Sequence, residues 1–232
     1  MDMIELKKQY KGKGTTKYVS IYYELMYENY HYKLFDYLDY IKDNKNIKNI
    51  VISKDDIIME FNVCGVFVKL VLEYRNPLCL PLHIFDNDSY EENETKIIME
   101  CVQDNDIVLD IGANVGLYTI LLNKYKNCMT YSFEPIKYTF DLLNKNLKIN
   151  NLNTKIYNMG LSDKNKVETF YFNRKEIGSS SMRDLREDKE NTEIVKCNIR
   201  KLDDFVVEEN ISNIDFIKID IEGAELFALR GG

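Results

Sequence analysis

The spacing of apolar residues changes character along the chain, and each change marks a different kind of element. Between Tyr18 and Ile41, the residues Leu25, Leu34, Leu38 and Ile41 recur at roughly helical intervals among tyrosines and charges, which predicts one or two amphipathic helices whose tyrosines serve packing. After the polar stretch Lys42 to Lys48 the pattern shortens. Ile50 to Ser53, Ile57 to Phe61 and Val66 to Glu73 are β-branched or alternating, the mark of short antiparallel strands, with Asn62 to Gly65 as a hairpin turn. Asp86 to Asn93 is polar and turn-rich, and Glu94 to Val102 then reads as a helix with Ile97, Ile98 and Cys101 on one face. A boundary near Asp88 separates an N-terminal segment, residues 1–88, from a second domain, residues 89–232.

From residue 104 onward strands and helices alternate. Ile107 to Ile111 is a strand, Val115 to Tyr125 a helix, Met129 to Phe133 a strand, Ile136 to Ile149 a helix and Lys155 to Asn158 a strand. Such alternation implies parallel βαβ units. Val167 to Phe172 and Glu193 to Ile199 read as further strands around a polar loop, and Leu202 to Glu209 as a helix. Ile214 to Ile219 is the last strand, and Ala224 to Leu229 is helical after it. The predicted class is α/β: a Rossmann-like sheet preceded by a small helical and antiparallel β segment.

Composition adds limits to this picture. With 232 residues, 45% of them hydrophobic, and only 3 prolines, the chain is long and apolar enough to bury a core. Its 31 basic residues against 38 acidic ones give a net charge of -7, so broad neutralisation of phosphates is not available and nucleic acid is not expected as a partner. Five cysteines, Cys64, Cys79, Cys101, Cys128 and Cys197, stand far apart without a Cys-x-x-Cys pair or a histidine at zinc-ligand spacing. A reduced, cytoplasmic chain follows from that. No stretch reaches the roughly 18 apolar residues of a membrane span.

The chemistry concentrates at the strand ends. Ile107 to Thr119 (IVLDIGANVGLYT) runs from a strand through glycines into a helix: Gly112 permits a tight turn, and Gly116 lets the helix start pack close to the strand. Asn114 stands where a nicotinamide fingerprint has its second glycine, which disfavours close approach of a pyrophosphate. Asp110, at the mouth of the turn, repels a diphosphate and suits an ammonium or sulfonium. The other tips are acidic too, with Glu134 after the second strand, Asp163 after the third, and Asp220 and Glu222 after the last. An acidic crevice fits a cationic cofactor. Glu134 is also placed to accept hydrogen bonds from both hydroxyls of an adenosine ribose.

These residues carry a resemblance. Asp110 to Thr119, Phe133-Glu-Pro135, Gly160 to Asp163, Leu202-Asp203 and Ile214 to Glu225 (IDFIKIDIEGAE) stand in the order found in class I S-adenosylmethionine-dependent methyltransferases, and the chain specifically resembles the FkbM family over roughly residues 90 to 230. The resemblance implies that Asp110, Gly112, Asn114 and Gly116 hold the methionine part of S-adenosyl-L-methionine and that Glu134 holds its ribose. It places Ser162 and Asp163 at the adenine-side loop and Glu91 in an acidic segment near the cofactor. It implies methyl transfer to a hydroxyl of a sugar, glycan precursor or natural product, with Gly178 to Met182 (GSSSM) resembling an acceptor-side segment.

Methyl transfer to oxygen needs a group to take the hydroxyl proton. His31 and His83 lie outside the alternating region, which leaves Asp220, Lys218 and Glu222 as catalytic candidates. Asp220 at the last strand tip serves as base or metal ligand; alternatively Lys218 and Glu222 form an ion pair that only shapes the site. Two rival readings remain: a nicotinamide-dependent oxidoreductase on the same fold, and a truncated or degenerate methyltransferase that binds cofactor without turnover. The family's sheet continues with three more strands beyond the point where this sequence stops, so the expectation is an incomplete sheet, with an unpaired apolar edge at Ile214 to Ile219 and low activity. The alternative covers that edge with strands of the N-terminal segment.

Overall fold

The structure, a computed structural model, describes residues 3–10, 23–73, 76, 79–87, 89–173 and 192–232. It divides into two compact units, Met1–Lys45 and Asn46–Gly232. In the first, α1 spans Met3–Tyr10; residues 23–26 are helical and continue through a π-helical turn, Tyr27–His31, into α2, Tyr32–Asp43. Residues 18–22, part of the expected helical stretch, lie outside the described residues. A helix buries a stripe only against a facing layer, and among the described residues of this unit only Met26 is buried. Tyr23, Tyr27, Tyr32, Tyr37 and Tyr40 are exposed, and the packing that the sequence predicts is met there by ring contacts of Tyr27 with Tyr32 and Phe35 at 6.0 and 6.4 Å.

The second unit opens with an antiparallel sheet in the order β1 (Ile47–Ile52), β2 (Ile57–Val63), β3 (Val66–Leu72). Val63 pairs with Val66 around Cys64 and Gly65, whose φ values of 49° and 86° are both positive, as a primed two-residue hairpin turn requires. The side-chain oxygen of Asn62 receives the Gly65 N–H at 2.9 Å, so the expected turn forms at the expected residues. Two helices follow, α3 (Leu80–Asn87) and α4 (Glu92–Cys101). The first of these has no counterpart in the sequence reading.

Next come β4 (Ile107–Ile111), α5 (Leu117–Lys126), β5 (Met129–Phe133), α6 (Lys137–Ile149) and β6 (Lys155–Tyr157). Beyond them are β7 (Gly160–Leu161), β8 (Lys166–Asn173), β9 (Thr192–Arg200), α7 (Leu202–Glu208), β10 (Phe216–Ile219) and α8 (Glu225–Leu229). Four strands make a parallel sheet in the order β10-β4-β5-β6, the predicted βαβ arrangement. The predicted strands around the polar loop do form, but in a separate sheet, β7-β9-β8, in which β8 and β9 are antiparallel. Gly178 to Met182 and the rest of residues 174–191 lie outside the described residues.

Period-two alternation gives the parallel sheet two unlike faces. One carries Leu109, Ile111, Tyr131 and Phe133, which form a core with Leu202, Phe205 and Ala228; the Phe205 ring meets those of Phe133 and Tyr157 edge-on, each at 4.8 Å. The other carries a polar row, because the register aligns Lys218 with Asp110 and Asp110 with Ser132. Among the described residues β10 is an edge strand paired only with β4, and β1 to β3 form a separate sheet. Ile217 is exposed there, as are Leu226, Phe227 and Leu229 of α8.

The expected boundary at Asp88 falls on a residue outside those described, and within the second unit β3 is fastened to a helix far along the chain. Asn146 of α6 accepts the Val71 N–H at 2.9 Å and donates to the Val115 carbonyl at 2.8 Å. One turn later Asn150 accepts the Lys69 N–H at 3.0 Å and donates to the Lys69 carbonyl at 2.6 Å. The two amides thus act on β3 as a neighbouring strand would. Asn146→Leu strands a buried donor and a buried acceptor at about 1–3 kcal/mol each, so urea unfolding is expected to show a loss of roughly 2–4 kcal/mol. A change below ~0.5 kcal/mol would show that the contact does not hold the sheet.

Candidate functional site

The parallel strands end at an open cleft whose floor is the turn after β4. Gly112 has φ +80°, and a Cβ there would stand 2.0 Å from the Asp220 carbonyl oxygen, so only glycine lets the two strand ends approach this closely. Gly116, at φ +95°, faces Leu143 of α6, where a Cβ would come within 2.5 Å of a methyl carbon. It sets the packing of α5 and does not line the cleft. Between them Asn114 also takes positive φ, 51°, a conformation that asparagine tolerates better than most residues. Its side-chain oxygen is buried without a hydrogen-bond partner.

Asp110 is fully buried and lies beneath the cleft, off its wall. Its Oδ2 accepts from the Thr119 hydroxyl at 2.6 Å. Thr119 has then spent its only proton, so the Ser132 hydroxyl, 2.8 Å away, donates to Thr119. Asp110 Oδ1 has no hydrogen bond and faces Lys218 Nζ at 3.6 Å. Lys218 donates to the Gly112 carbonyl at 3.0 Å, lies 3.7 Å from Asp220 Oδ2 and stands 5.2 Å from the centre of the Tyr118 ring. The partners of Lys218 are thus Asp110 and Asp220 in place of Glu222, the partner in the alternative reading.

Glu134, at the end of β5, is buried as well. Its Oε1 receives the Ile136 N–H at 2.9 Å and its Oε2 the Asn114 N–H at 3.1 Å. Asn158 holds the following backbone by donating to the carbonyls of Glu134 and Pro135 at 2.9 and 3.0 Å. Burial pushes the Glu134 carboxyl up to about 7, with Asp110 adding to the rise, against the opposing pull of the two N–H donors and Lys218.

The outer wall is acidic. Glu91 caps α4 in the left-handed region, φ 44°, and accepts the Tyr118 hydroxyl at 2.8 Å. Burial, then Glu91, holds the Tyr90 hydroxyl above its ordinary range. Glu222 is raised by burial, then by Asp220, Glu225 and Glu91. The Asp220 side chain is 57% exposed at the mouth.

The cleft thus gathers Glu91, Gly112, Asn114, Glu134, Lys218, Asp220 and Glu222. Ser162 and Asp163 stand apart, because β7 pairs with β9 in the second sheet; there Ser162 sits 3.2 Å from Asp163 and its carbonyl oxygen abuts Gly231. Thr119, Ser132 and Asn158 were not singled out in the sequence, although Thr119 lies inside a quoted motif and Ser132 inside the predicted strand Met129 to Phe133. No group of residues suited to hold a metal occurs among those described, nor any helix long and apolar enough to cross a membrane.

Residues 110–232, more than half of the sequence, match the Methyltransferase FkbM domain. The chain belongs to the FkbM methyltransferase family. It is 27% identical over 148 residues to Methyltransferase 1 of Beauveria bassiana, covering 55% of this chain and 59% of that protein. It is 29% identical over 121 residues to the tRNA (guanine(37)-N(1))-methyltransferase of Plasmodium vivax, covering 46% of this chain and 16% of that protein. Among solved structures it is similar to M. jannaschii TYW2 in complex with AdoMet, with 20% identity, coverage of 48% and 47%, and a TM-score of 0.28. A superposition of that quality adds nothing to the fold, which the strand order defines. Likeness to a tRNA methyltransferase leaves nucleic acid open as an acceptor, so net charge alone does not decide against it.

Burying Glu134 has a consequence for stability. Its folded pKa lies above the ordinary value, so the native state holds the proton longer than the unfolded chain does, and stability falls as pH rises from about 4.5 to about 7. Glu134→Gln is expected to lose this trend. Between pH 5.5 and 8 the unfolding free energy of the parent should drop by roughly 2 kcal/mol more than that of the variant. Equal pH dependence in urea titrations would contradict it.

Proposed function

We propose that the cleft binds S-adenosylmethionine and that the chain transfers its methyl group to a hydroxyl of a sugar, glycan precursor or natural product. The observation that carries the reading is two acceptors lining the cleft: Asn114 Oδ1, buried without a donor, and the buried Glu134 carboxyl, each of whose oxygens accepts one backbone N–H. Each carboxylate oxygen has a second lone pair. These groups fit a ligand rich in donors and bearing positive charge. Family membership turns the chain away from the nicotinamide alternative.

When bound, the cofactor supplies an electrophilic methyl group on a positively charged sulfur. Glu134 holds the ribose by accepting from its two hydroxyls, and Asn114 Oδ1 accepts from the ammonium of the methionine arm. The carboxylates of Glu91, Asp220 and Glu222 favour a cationic ligand over an anionic one. Asp220, exposed at the mouth, takes the proton of the acceptor hydroxyl, and Glu222 beside it holds the acceptor. The same acidity disfavours an acceptor that brings phosphates into the cleft, and this supports a small or glycan hydroxyl over nucleic acid.

Glu134→Ala is expected to weaken binding of S-adenosylhomocysteine by tenfold or more, since hydrogen bonds to charged groups are worth about 1.5–3 kcal/mol each. In the parent chain affinity should also rise from pH 6 to pH 8, because the ribose hydroxyls donate to the ionised carboxylate and its proton must leave first. Isothermal calorimetry measures both, and unchanged affinity in the variant removes Glu134 from the site.

Asp220→Asn is expected to lower turnover about 10²- to 10⁴-fold while leaving affinity for S-adenosylhomocysteine within about threefold. A panel of hydroxyl acceptors, with tRNA included, provides the assay. Near-normal turnover in the variant would remove Asp220 as the proton acceptor, and tRNA as the sole acceptor would overturn the small-hydroxyl reading.

A further inference from the structure

In a chain of net charge -7, the outer face of the β1-β2-β3 sheet gathers positive charge around one exposed ring, that of Phe67. Strand register sets Asn49 opposite Glu60 and Glu60 opposite Lys69, and Phe67 lies two residues from Lys69 on the same face. The Lys48 ammonium stands 4.4 Å from the centre of the Phe67 ring and 3.5 Å from Glu60 Oε1. Lys124 reaches across from α5 and donates to the Phe67 carbonyl at 2.6 Å. Three lysines thus surround Phe67, with one carboxylate among them.

That carboxylate is already committed. The Glu60 side chain is 12% exposed, accepts from Asn49 at 2.7 Å and faces Lys48, while no carboxylate of the described residues comes within ion-pair distance of Lys69 or Lys124. Burial, then Lys69, lowers the Lys124 ammonium below the ordinary lysine range, with Lys48 adding to the fall and Glu60 opposing it. Elsewhere on the two helices that flank β3 the lysines Lys126 and Lys145 have Asp104 and Asp56 beside them. The surplus is therefore local: three cations against one carboxylate leave two positive charges uncompensated.

Like charges held this close repel until an anion joins them. A phosphate monoester fits the count, because it is a dianion with three terminal oxygens, one for each ammonium, whereas a carboxylate leaves a charge over. A nucleic acid repeats its phosphates and calls for a track of cations, and these centre on a single residue. None of the three lysines lines the cleft.

We propose that Lys48, Lys69 and Lys124 form a second binding site, for the phosphate group of a small, soluble phosphorylated ligand. Lys124 is oriented by the Phe67 carbonyl, and Lys48 and Lys69 close on the anion from the sheet. The site stands independently of what the cleft binds.

Calorimetry on the full chain at low salt tests this with glucose 6-phosphate and inorganic phosphate, and with glucose as the neutral control. Both phosphates are expected to bind at one site with a Kd at or below about 1 mM, and glucose not at all. Lys69→Gln should weaken them about tenfold, the double variant Lys48→Gln with Lys69→Gln further still, and Lys69→Arg should retain most of the affinity. Thermal unfolding of each variant and its affinity for S-adenosylhomocysteine should stay close to those of the parent. Phosphate binding that survives in the double variant shows an adventitious ion only and overturns the proposal. So does a parent chain that binds neither phosphate, and so does one that binds vesicles rich in phosphatidylserine in their place, which assigns the face to a membrane surface.

Discussion

The parallel sheet is organised around a carboxylate that water does not reach. Asp110 has no exposed surface, and removing such a group from water costs several kcal/mol unless an opposite charge and hydrogen bonds compensate. Strand register supplies both, because Lys218 is directly opposite Asp110 on β10 and Ser132 directly opposite on β5, with Thr119 of α5 bridging the latter two. The position of β10, the seating of α5 and the close approach of Gly112 to Asp220 all follow from keeping this row intact. A helix and three strands are thereby tied to one polar line, while the opposite face of the sheet is free to pack rings against α7.

The cleft inherits its chemistry from that line. Lys218 reaches its wall already committed to Asp110 from below, so the positive charge at the floor is fixed in place by the sheet and not by a loop. Glu134 is fixed in a different way, by backbone N–H groups on either side of it, and this leaves its outward lone pairs without competition from other side chains. The outer carboxylates, Asp220 and Glu222, are more accessible and sit on the turn whose N–H groups at Ile221 and Gly223 are held by Glu225. The buried, hydrogen-bonded parts thus form the inside of the cleft, and the exposed parts face its mouth.

Much of this was legible in the sequence, and the reasons differ from element to element. The βαβ alternation and the hairpin at Cys64-Gly65 are local signals, carried by period-two patterns and by residues that accept positive φ. The acidic strand tips were legible because a glycine turn after an apolar run places its neighbours at a sheet end. The helix Leu80–Asn87 was hidden by Pro81 and by a run too short to show a period. The placement of β1 to β3 with the later domain depends on Asn146 and Asn150, which lie 75 and 81 residues from their partners and read in isolation as ordinary polar positions of a helix. Ser162 was assigned by motif order, and Asp163 by motif order and as an acidic tip after a strand, and neither signal records that β7 joins a different sheet.

The opposition of Lys218 and Asp110 across two strands also constrains how this protein can change by inheritance. Loss of either partner alone leaves a lone charge in the sheet interior, and truncating one member of a buried pair typically costs 3–5 kcal/mol, a large part of a domain's ~5–15 kcal/mol of stability. A lineage that replaces the pair with apolar residues must cross that intermediate or change both codons at once. A one-residue insertion in either strand would be no easier, since it turns the charged side chain towards the aromatic face. The pair is therefore expected to persist or vanish as a unit among descendants, even where the acceptor they serve has diverged.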